Sequence, residues 1–329
     1  MDIVLLVAGL ALLTVGGDLL VRGAVRVAAH LGVPTLLIGL TLVGFGTSAP
    51  EFVTSLQGAL AGSPGIAIGN IVGSCIANIL LILGVVALIS PVQVDELALK
   101  RDSMVMLAAT AAFVIVSTLL PLERYVGAAG LLLLFAYLFA CVAREWRGGP
   151  LFSAPAARST ARSEAEPGLM PSTGDGTPVP LALLMVVGGL ALLIVGGQLL
   201  VSGATGLARG FGISETLIGL TIVAIGTSAP EMATSIVAAL RKETGVAFGN
   251  VVGSNIFNIL GVGGLTVTIA PLRVPTEIIG FDNLVMLGAA PLLVVFAATG
   301  LRVGRREGAV LLTGYVGYLG ALIWMQFGA

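Results

Sequence analysis

The six residues Gly-Thr-Ser-Ala-Pro-Glu occur at Gly46–Glu51 and again at Gly226–Glu231, each time inside a stretch otherwise apolar enough to cross a bilayer. A carboxylate at the centre of a membrane helix costs roughly 3 kcal/mol on insertion scales, so Glu51 and Glu231 need a reason to be there. Pro50 and Pro230 each remove a backbone donor and clash with the preceding turn, which frees carbonyl oxygens near positions 46–47 and 226–227. Irregular backbone at that depth is tolerated only where it is buried in protein or lines a wet cavity. At helical spacing Gly44, Thr47 and Glu51 share one face, which then offers carbonyls, a hydroxyl and a carboxylate.

A second motif also occurs twice. Asn70, Ser74 and Asn78 recur at four-residue spacing and line one helical stripe, as do Asn250, Ser254 and Asn258. Gly69, Gly73, Gly249 and Gly253 let neighbouring backbones approach closely. Every donor in the two motifs is an oxygen or an amide, the set that hard cations such as Ca²⁺ and Na⁺ prefer, whereas zinc or copper would want His or Cys. The chain has one histidine, His30, placed in a short basic connection, and two cysteines, Cys75 and Cys141, both inside apolar spans without a CxxC partner. Two carboxylates balance the charge of one Ca²⁺. The motifs read as a symmetric cation site, half from each copy.

These residues need a membrane scaffold around them. Of 329 residues 57% are hydrophobic and only 10% charged, and mean hydropathy is +1.08, values that exclude an ordinary soluble globular domain. At about 20 residues per crossing, ten spans are expected, near 1–21, 34–60, 64–90, 102–120, 122–143, 180–202, 214–240, 244–270, 282–300 and 304–327. The first lacks a charged n-region and a cleavage site and is expected to persist in the mature protein. With ten spans, 13 of the 16 Lys and Arg residues fall on one side and only Arg124, Arg209 and Arg273 on the other. The positive-inside rule makes the first side cytoplasmic and turns both termini outward, in a multi-pass protein of the cell's inner membrane.

An offset of 180 aligns the two halves without a gap. Residues 37–51 match 217–231 at 12 of 15 positions, and 69–80 match 249–260 at 9 of 12. Each half, 1–143 and 180–329, carries five spans, an odd number, so the second must enter the membrane from the opposite face. The fold expected is an all-α membrane protein of two inverted five-helix repeats, an arrangement that points to a secondary transporter with its site at the midplane. Residues 144–179, rich in Pro, Gly, Ser and charge, read as a disordered cytoplasmic linker.

With both motifs present in order in both halves, the sequence resembles the cation/calcium exchanger superfamily, in particular its prokaryotic sodium/calcium exchangers. The resemblance implies Na⁺/Ca²⁺ antiport by alternating access, with no cofactor, no enzymatic activity, no nucleic acid and no obligate protein partner beyond the lipid bilayer. Carried over, Glu51 and Glu231 are Ca²⁺ ligands assisted by the carbonyls of Thr47 and Thr227. Na⁺ sites follow from Gly44, Thr47 and Ser74 on one side and Ala224, Thr227 and Ser254 on the other, with Asn78 and Asn258 flanking the centre. Two departures stand out. Asn258 is an aspartate in some members, including potassium-dependent ones, and Cys75 stands opposite Asn255 of the second copy. Proton-coupled members usually carry a Glu in the second motif, where this chain has Gly-Asn-Ile-Val-Gly-Ser and Gly-Asn-Val-Val-Gly-Ser, which favours sodium as counter-ion over the alternative of a proton-coupled divalent-cation antiporter. An intramembrane protease finds no aspartate pair in these motifs and no histidine to activate a serine.

Overall fold

The computed structural model describes residues 2–31, 42–146, 178–210 and 224–327. Among these, eight helices are long and apolar enough to cross a membrane. In chain order the elements are α1 (Asp2–Leu31), α2 (Gly44–Thr47), α3 (Ala49–Leu60), α4 (Pro64–Ile89), β1 (Val92–Gln93), α5 (Leu99–Leu119) and α6 (Arg124–Trp146). The second half follows with α7 (Val179–Gly210), α8 (Ala224–Thr227), α9 (Ala229–Leu240), α10 (Thr244–Ile269), α11 (Ile278–Ala298), β2 (Arg302–Val303) and α12 (Arg305–Phe327).

The expected spans 34–60 and 214–240 are described only from residues 42 and 224 onward, and in both the helix breaks at the serine of the first motif. Ser48 and Ser228 leave helical geometry, with φ/ψ of −81°/7° and −83°/7°, and a new helix starts with proline in its first turn. Pro has no N–H to return to the carbonyl four residues earlier, so its favoured place is the first turn of a helix. Two expectations need correction. His30 is in the last turn of α1 and not in a connection, its Nδ1 2.9 Å from the Arg26 carbonyl, because the helix continues past the expected end at 21. Residues 144–146 belong to α6 and Val179 opens α7, so helix takes both ends of the expected linker. Residues 147–177, the body of that linker, lie outside the described residues.

Helices α4 and α10 form the buried centre; Ile68, Ile71, Val72 and Ile76 of the first and Val251, Val252 and Ile256 of the second belong to one apolar cluster, all fully or almost fully buried. Each opens into a wider π-helical turn, Ala77–Ile82 and Phe257–Gly263. At the periphery α1 packs along α7. A Cβ on Gly16 would sit 2.9 Å from the Gly189 carbonyl, one on Gly23 2.9 Å from that of Ala182, and one on Gly203 2.6 Å from that of Asp2. Contacts that rise along one helix fall along the other, so these helices, 180 residues apart in sequence, run antiparallel. Small residues at such crossings let backbones touch where lipid offers no hydrophobic drive.

The loops pair with the same symmetry. β1 and β2 are antiparallel, Val92 opposite Val303, while Leu122 and Leu272 exchange backbone bonds of 2.9 and 3.0 Å. Adding 180 to 92 and 122 gives 272 and 302, which converts one pairing into the other to within a residue. The turns after α3 and α9 also correspond. Gly62 and Lys242 both take left-handed backbone, φ 70° and 62°, and Ser63 N–H and Glu243 N–H each return 2.8 Å bonds to Gly58 and Ala238, closing Schellman caps.

Candidate cation site

Glu51 and Glu231 are in the first turns of α3 and α9, 0% and 1% exposed. The serine at each helix break does not serve its own glutamate. Ser48 donates to Oε1 of Glu231 at 3.1 Å, and Ser228 donates to Oε1 of Glu51 at 3.1 Å. Ser74, from α4, joins the second contact: its hydroxyl is 3.4 Å from Glu51 Oε1 and 3.1 Å from Ser228 Oγ. The two motifs therefore meet crosswise, and each carboxylate is held by the opposite half of the chain.

The asparagines that begin the second motif complete the crossing. Asn70 donates from Nδ2 to the Glu51 carbonyl at 3.1 Å and to Ser55 Oγ at 3.0 Å, and its Oδ1 accepts from Thr227 Oγ1 at 3.1 Å. Asn250 does the same with the Glu231 carbonyl at 3.1 Å, Ser235 Oγ at 2.8 Å and Thr47 Oγ1 at 3.3 Å. All of these side chains are buried.

What remains bare is as informative as what is bonded. The second carboxylate oxygens, Oε2 of Glu51 and of Glu231, are buried and accept no hydrogen bond among the described residues, and neither glutamate is in an ion pair there. The same holds for both amide atoms of Asn78 and Asn258 and for Ser254 Oγ. Other acids within the spans are treated differently. Asp102 takes a bidentate contact from Arg101 and the Tyr137 hydroxyl at 2.9 Å, and Asp282 takes the Tyr318 hydroxyl at 2.7 Å. Burying an ionised carboxylate without a partner is costly enough that such groups pair or bind metal. No group of three or more His, Cys, Asp or Glu side chains suited to a metal occurs among the described residues. The donors are two carboxylates surrounded by hydroxyls, amides and main-chain carbonyls, which fits a hard, weakly directional cation and not zinc or copper.

Of the residues expected from sequence, the fold brings Glu51, Ser74 and Thr227 into one hydrogen-bonded network and Glu231 and Thr47 into its counterpart, each drawn from both halves. Asn78 and Asn258 lie at the start of the π-helical turns of α4 and α10, and Ser254 one turn earlier, all buried and unbonded. Gly44 is buried at the start of α2, where its carbonyl accepts Ser48 N–H at 3.3 Å; Ala224 opens α8. Cys75 is off the polar stripe, its Sγ 4.0 Å from the carbonyl of Asn255, its counterpart in the second half. The ligand set implied by the resemblance left out Ser48, Ser228, Asn70 and Asn250. Their signal was present, since both serines are inside the repeated hexapeptide and both asparagines share the stripe of Ser74 and Ser254.

Comparison with known proteins gives the chain a family. The family described as sodium/calcium exchanger protein matches residues 1–144 and 181–324, omitting only the segment between the halves and the last residues. The sodium/calcium exchanger MaX1 of Methanosarcina acetivorans is 32% identical over 349 residues, 98% of this chain and 99% of that one. The inner membrane protein YrbG of Escherichia coli is 36% identical over 332 residues, 98% of this chain and 97% of that one. Among solved structures, the sodium-calcium exchanger NCX_Mj soaked with 10 mM Na⁺ and zero Ca²⁺ superposes with a TM-score of 0.81 at 32% identity, over 98% of both chains. With both halves matched and the crosswise acid pair in place, the chain belongs to the sodium/calcium exchanger family.

Proposed function

We propose that this protein is a secondary antiporter that exchanges Na⁺ for Ca²⁺ across the inner membrane by alternating access. The observation that carries the reading is the pair of buried glutamates, each bonded through Oε1 to the opposite half and left with a bare Oε2. Ca²⁺ is bound between Glu51 and Glu231 with the Thr47 and Thr227 carbonyls. Na⁺ occupies sites built from Gly44, Thr47 and Ser74 and from Ala224, Thr227 and Ser254, with Asn78 and Asn258 at the flanks. Resemblance to named sodium/calcium exchangers supports these roles.

The topology proposed is ten spans in two inverted repeats, joined by a cytoplasmic linker. The antiparallel course of α1 and α7 supports it, because equivalent helices of inverted repeats must cross the membrane in opposite directions. Loop pairing supports it too. In the ten-span order Val92 and Val303 both fall on the cytoplasmic side and Leu122 and Leu272 both on the other. Both termini then face outward.

Charge sets the counter-ion and the voltage dependence. Asn78 and Asn258 are neutral, so the centre carries two negative charges, enough for one Ca²⁺ and too few to hold K⁺ beside it. Exchange against three Na⁺, the family's usual stoichiometry, then moves net charge, and an inside-negative potential favours Ca²⁺ extrusion.

The test is ⁴⁵Ca²⁺ uptake by proteoliposomes with Na⁺, K⁺ and H⁺ gradients imposed one at a time. Uptake driven by the Na⁺ gradient alone is the expected result. Uptake driven by a pH gradient and indifferent to Na⁺ would replace this reading with proton-coupled antiport through the same glutamates.

A further inference from the structure

Asn70 and Asn250 are outside the ligand set proposed above, yet each amide bonds two members of it, the carbonyl of one glutamate and the hydroxyl of one threonine. The amide has two chemically different ends, and the fold uses them for different purposes. Nδ2, the donor end, stays within its own half: Asn70 holds the Glu51 carbonyl and Ser55, and Asn250 holds the Glu231 carbonyl and Ser235. Oδ1, the acceptor end, reaches the other half: Asn70 accepts from Thr227 and Asn250 from Thr47. The orientation follows from chemistry, because a reversed amide would set its oxygen against the glutamate carbonyl, oxygen against oxygen.

We propose that Asn70 and Asn250 are positioning residues that couple the two half-sites, a role that rests on the Na⁺/Ca²⁺ exchange reading. Each ties the backbone of one glutamate to the threonine at the opposite helix break. Ser228 follows Thr227 directly and bonds the Glu51 carboxylate, so the second half holds Glu51 directly at its side chain and, through Asn70, at its backbone. A cation that draws Glu51 and the Thr227 carbonyl together therefore moves a unit that already spans both halves. The link on the other side can open. Thr47 has one hydroxyl hydrogen and several acceptors in reach, among them the Val43 carbonyl at 3.0 Å, Asn250 Oδ1 at 3.3 Å and the Gly44 carbonyl at 3.4 Å. It can turn from Asn250 to its own helix, which gives the link the two discrete arrangements that coupling requires. Half-sites joined in this way fill together, and half-sites without the link fill independently.

The experiment compares the wild-type protein with Asn70→Ala, Asn250→Ala, Thr47→Val, Thr227→Val and Ser55→Ala. Na⁺-driven ⁴⁵Ca²⁺ flux is read in proteoliposomes, and Na⁺ displacement of bound ⁴⁵Ca²⁺ is read on the purified proteins. Absence of Na⁺-driven flux in the wild type would sink the exchange reading itself, before any variant is considered. Given wild-type flux, both asparagine variants should show a Hill coefficient for Na⁺ that falls towards 1, as a coupling of about 5- to 150-fold in binding between linked sites is lost, together with a lower maximal rate. Their Ca²⁺ half-saturation should stay within about threefold, since no ligand is removed, only one hydrogen-bonded support. The valine variants delete the cross-half hydroxyl while the amides keep their bonds within each half, and they should lose cooperativity in the same way. Ser55→Ala removes a bond of the same amide inside one half and should keep the wild-type Hill coefficient. Wild-type cooperativity in the valine variants, or an equal loss in Ser55→Ala, would overturn the proposal even if the asparagine variants do not accumulate.

Discussion

Ser228 donates a 3.1 Å hydrogen bond to Oε1 of Glu51, a residue 177 positions earlier in the chain. Its counterpart Ser48 does the same for Glu231 at 3.1 Å. One oxygen of each carboxylate is thus fixed by the other half and the second is left buried without a donor among the described residues, which is the electrostatic situation a divalent cation resolves.

Replacing Glu51 or Glu231 with Gln keeps the shape and removes one of the two central charges. Removing one carboxylate from a buried contact with a divalent cation should cost about 3–5 kcal/mol, as breaking a buried ion pair does, which is more than about a hundredfold in affinity. Na⁺-driven ⁴⁵Ca²⁺ uptake should fall below detection in either variant, and near-wild-type uptake in one of them would refute the site.

Ser48→Ala and Ser228→Ala leave both charges in place but free the carboxylates to rotate. Hydrogen bonds to charged groups are worth about 1.5–3 kcal/mol, so Ca²⁺ affinity should weaken by roughly tenfold or more in each. A competition assay with ⁴⁵Ca²⁺ on purified protein measures this; a loss as complete as that of the glutamate variants would mean the serines are ligands and not supports.

With neutral Asn78 and Asn258, exchange should proceed at full rate when K⁺ is replaced by choline and should respond to membrane potential. Fluxes in liposomes with the potential clamped in one series and free in another decide both points. A strict K⁺ requirement, or indifference to the clamped voltage, contradicts the charge count.

Lys242 adopts φ 62° where the equivalent turn of the first half has Gly62 at φ 70°. Left-handed backbone costs a non-glycine residue roughly 1–2 kcal/mol, so Lys242→Gly should raise the melting temperature of the purified protein, whereas Gly62→Ala should lower it. A Cβ on Gly62 meets nothing within 4 Å, so the backbone angle and not crowding decides the sign.

Deleting Ser153–Asp175 should leave transport close to wild type, because the family match passes over residues 145–180 and the shortened segment still tethers the two halves. Loss of flux in a well-expressed deletion would give that segment a regulatory or structural task.

The helices were legible because lipid imposes a simple demand: a crossing needs about 20 apolar residues with all backbone bonds made internally. Eight described helices lie close to expected spans, and the breaks at Ser48 and Ser228 adjoin the prolines that implied irregular backbone there. The glutamates stood out for the same reason, since an acid in lipid has few structural excuses. The overrun of α1 to Leu31 was not legible, because Arg22 and Arg26 end an apolar window without ending a helix; arginine is a good helix former.

By itself the sequence determined the membrane class, the twofold repeat, the oxygen-only donor set and the two acids at its centre, because hydropathy, offset and donor chemistry are properties of the chain. Spacing along a helix says which side chains share a face, so Asn70, Ser74 and Asn78 could be grouped from sequence. It says nothing about which face they meet. Only the tertiary structure decided that Ser48 serves Glu231, that Asn70 joins Glu51 to Thr227, and that Asp102 and Asp282 are capped by tyrosines while the glutamates keep a bare oxygen. Those partners are set by how the buried helices α4 and α10 pack between the two broken ones, a contact between segments some 180 residues apart that no local pattern encodes.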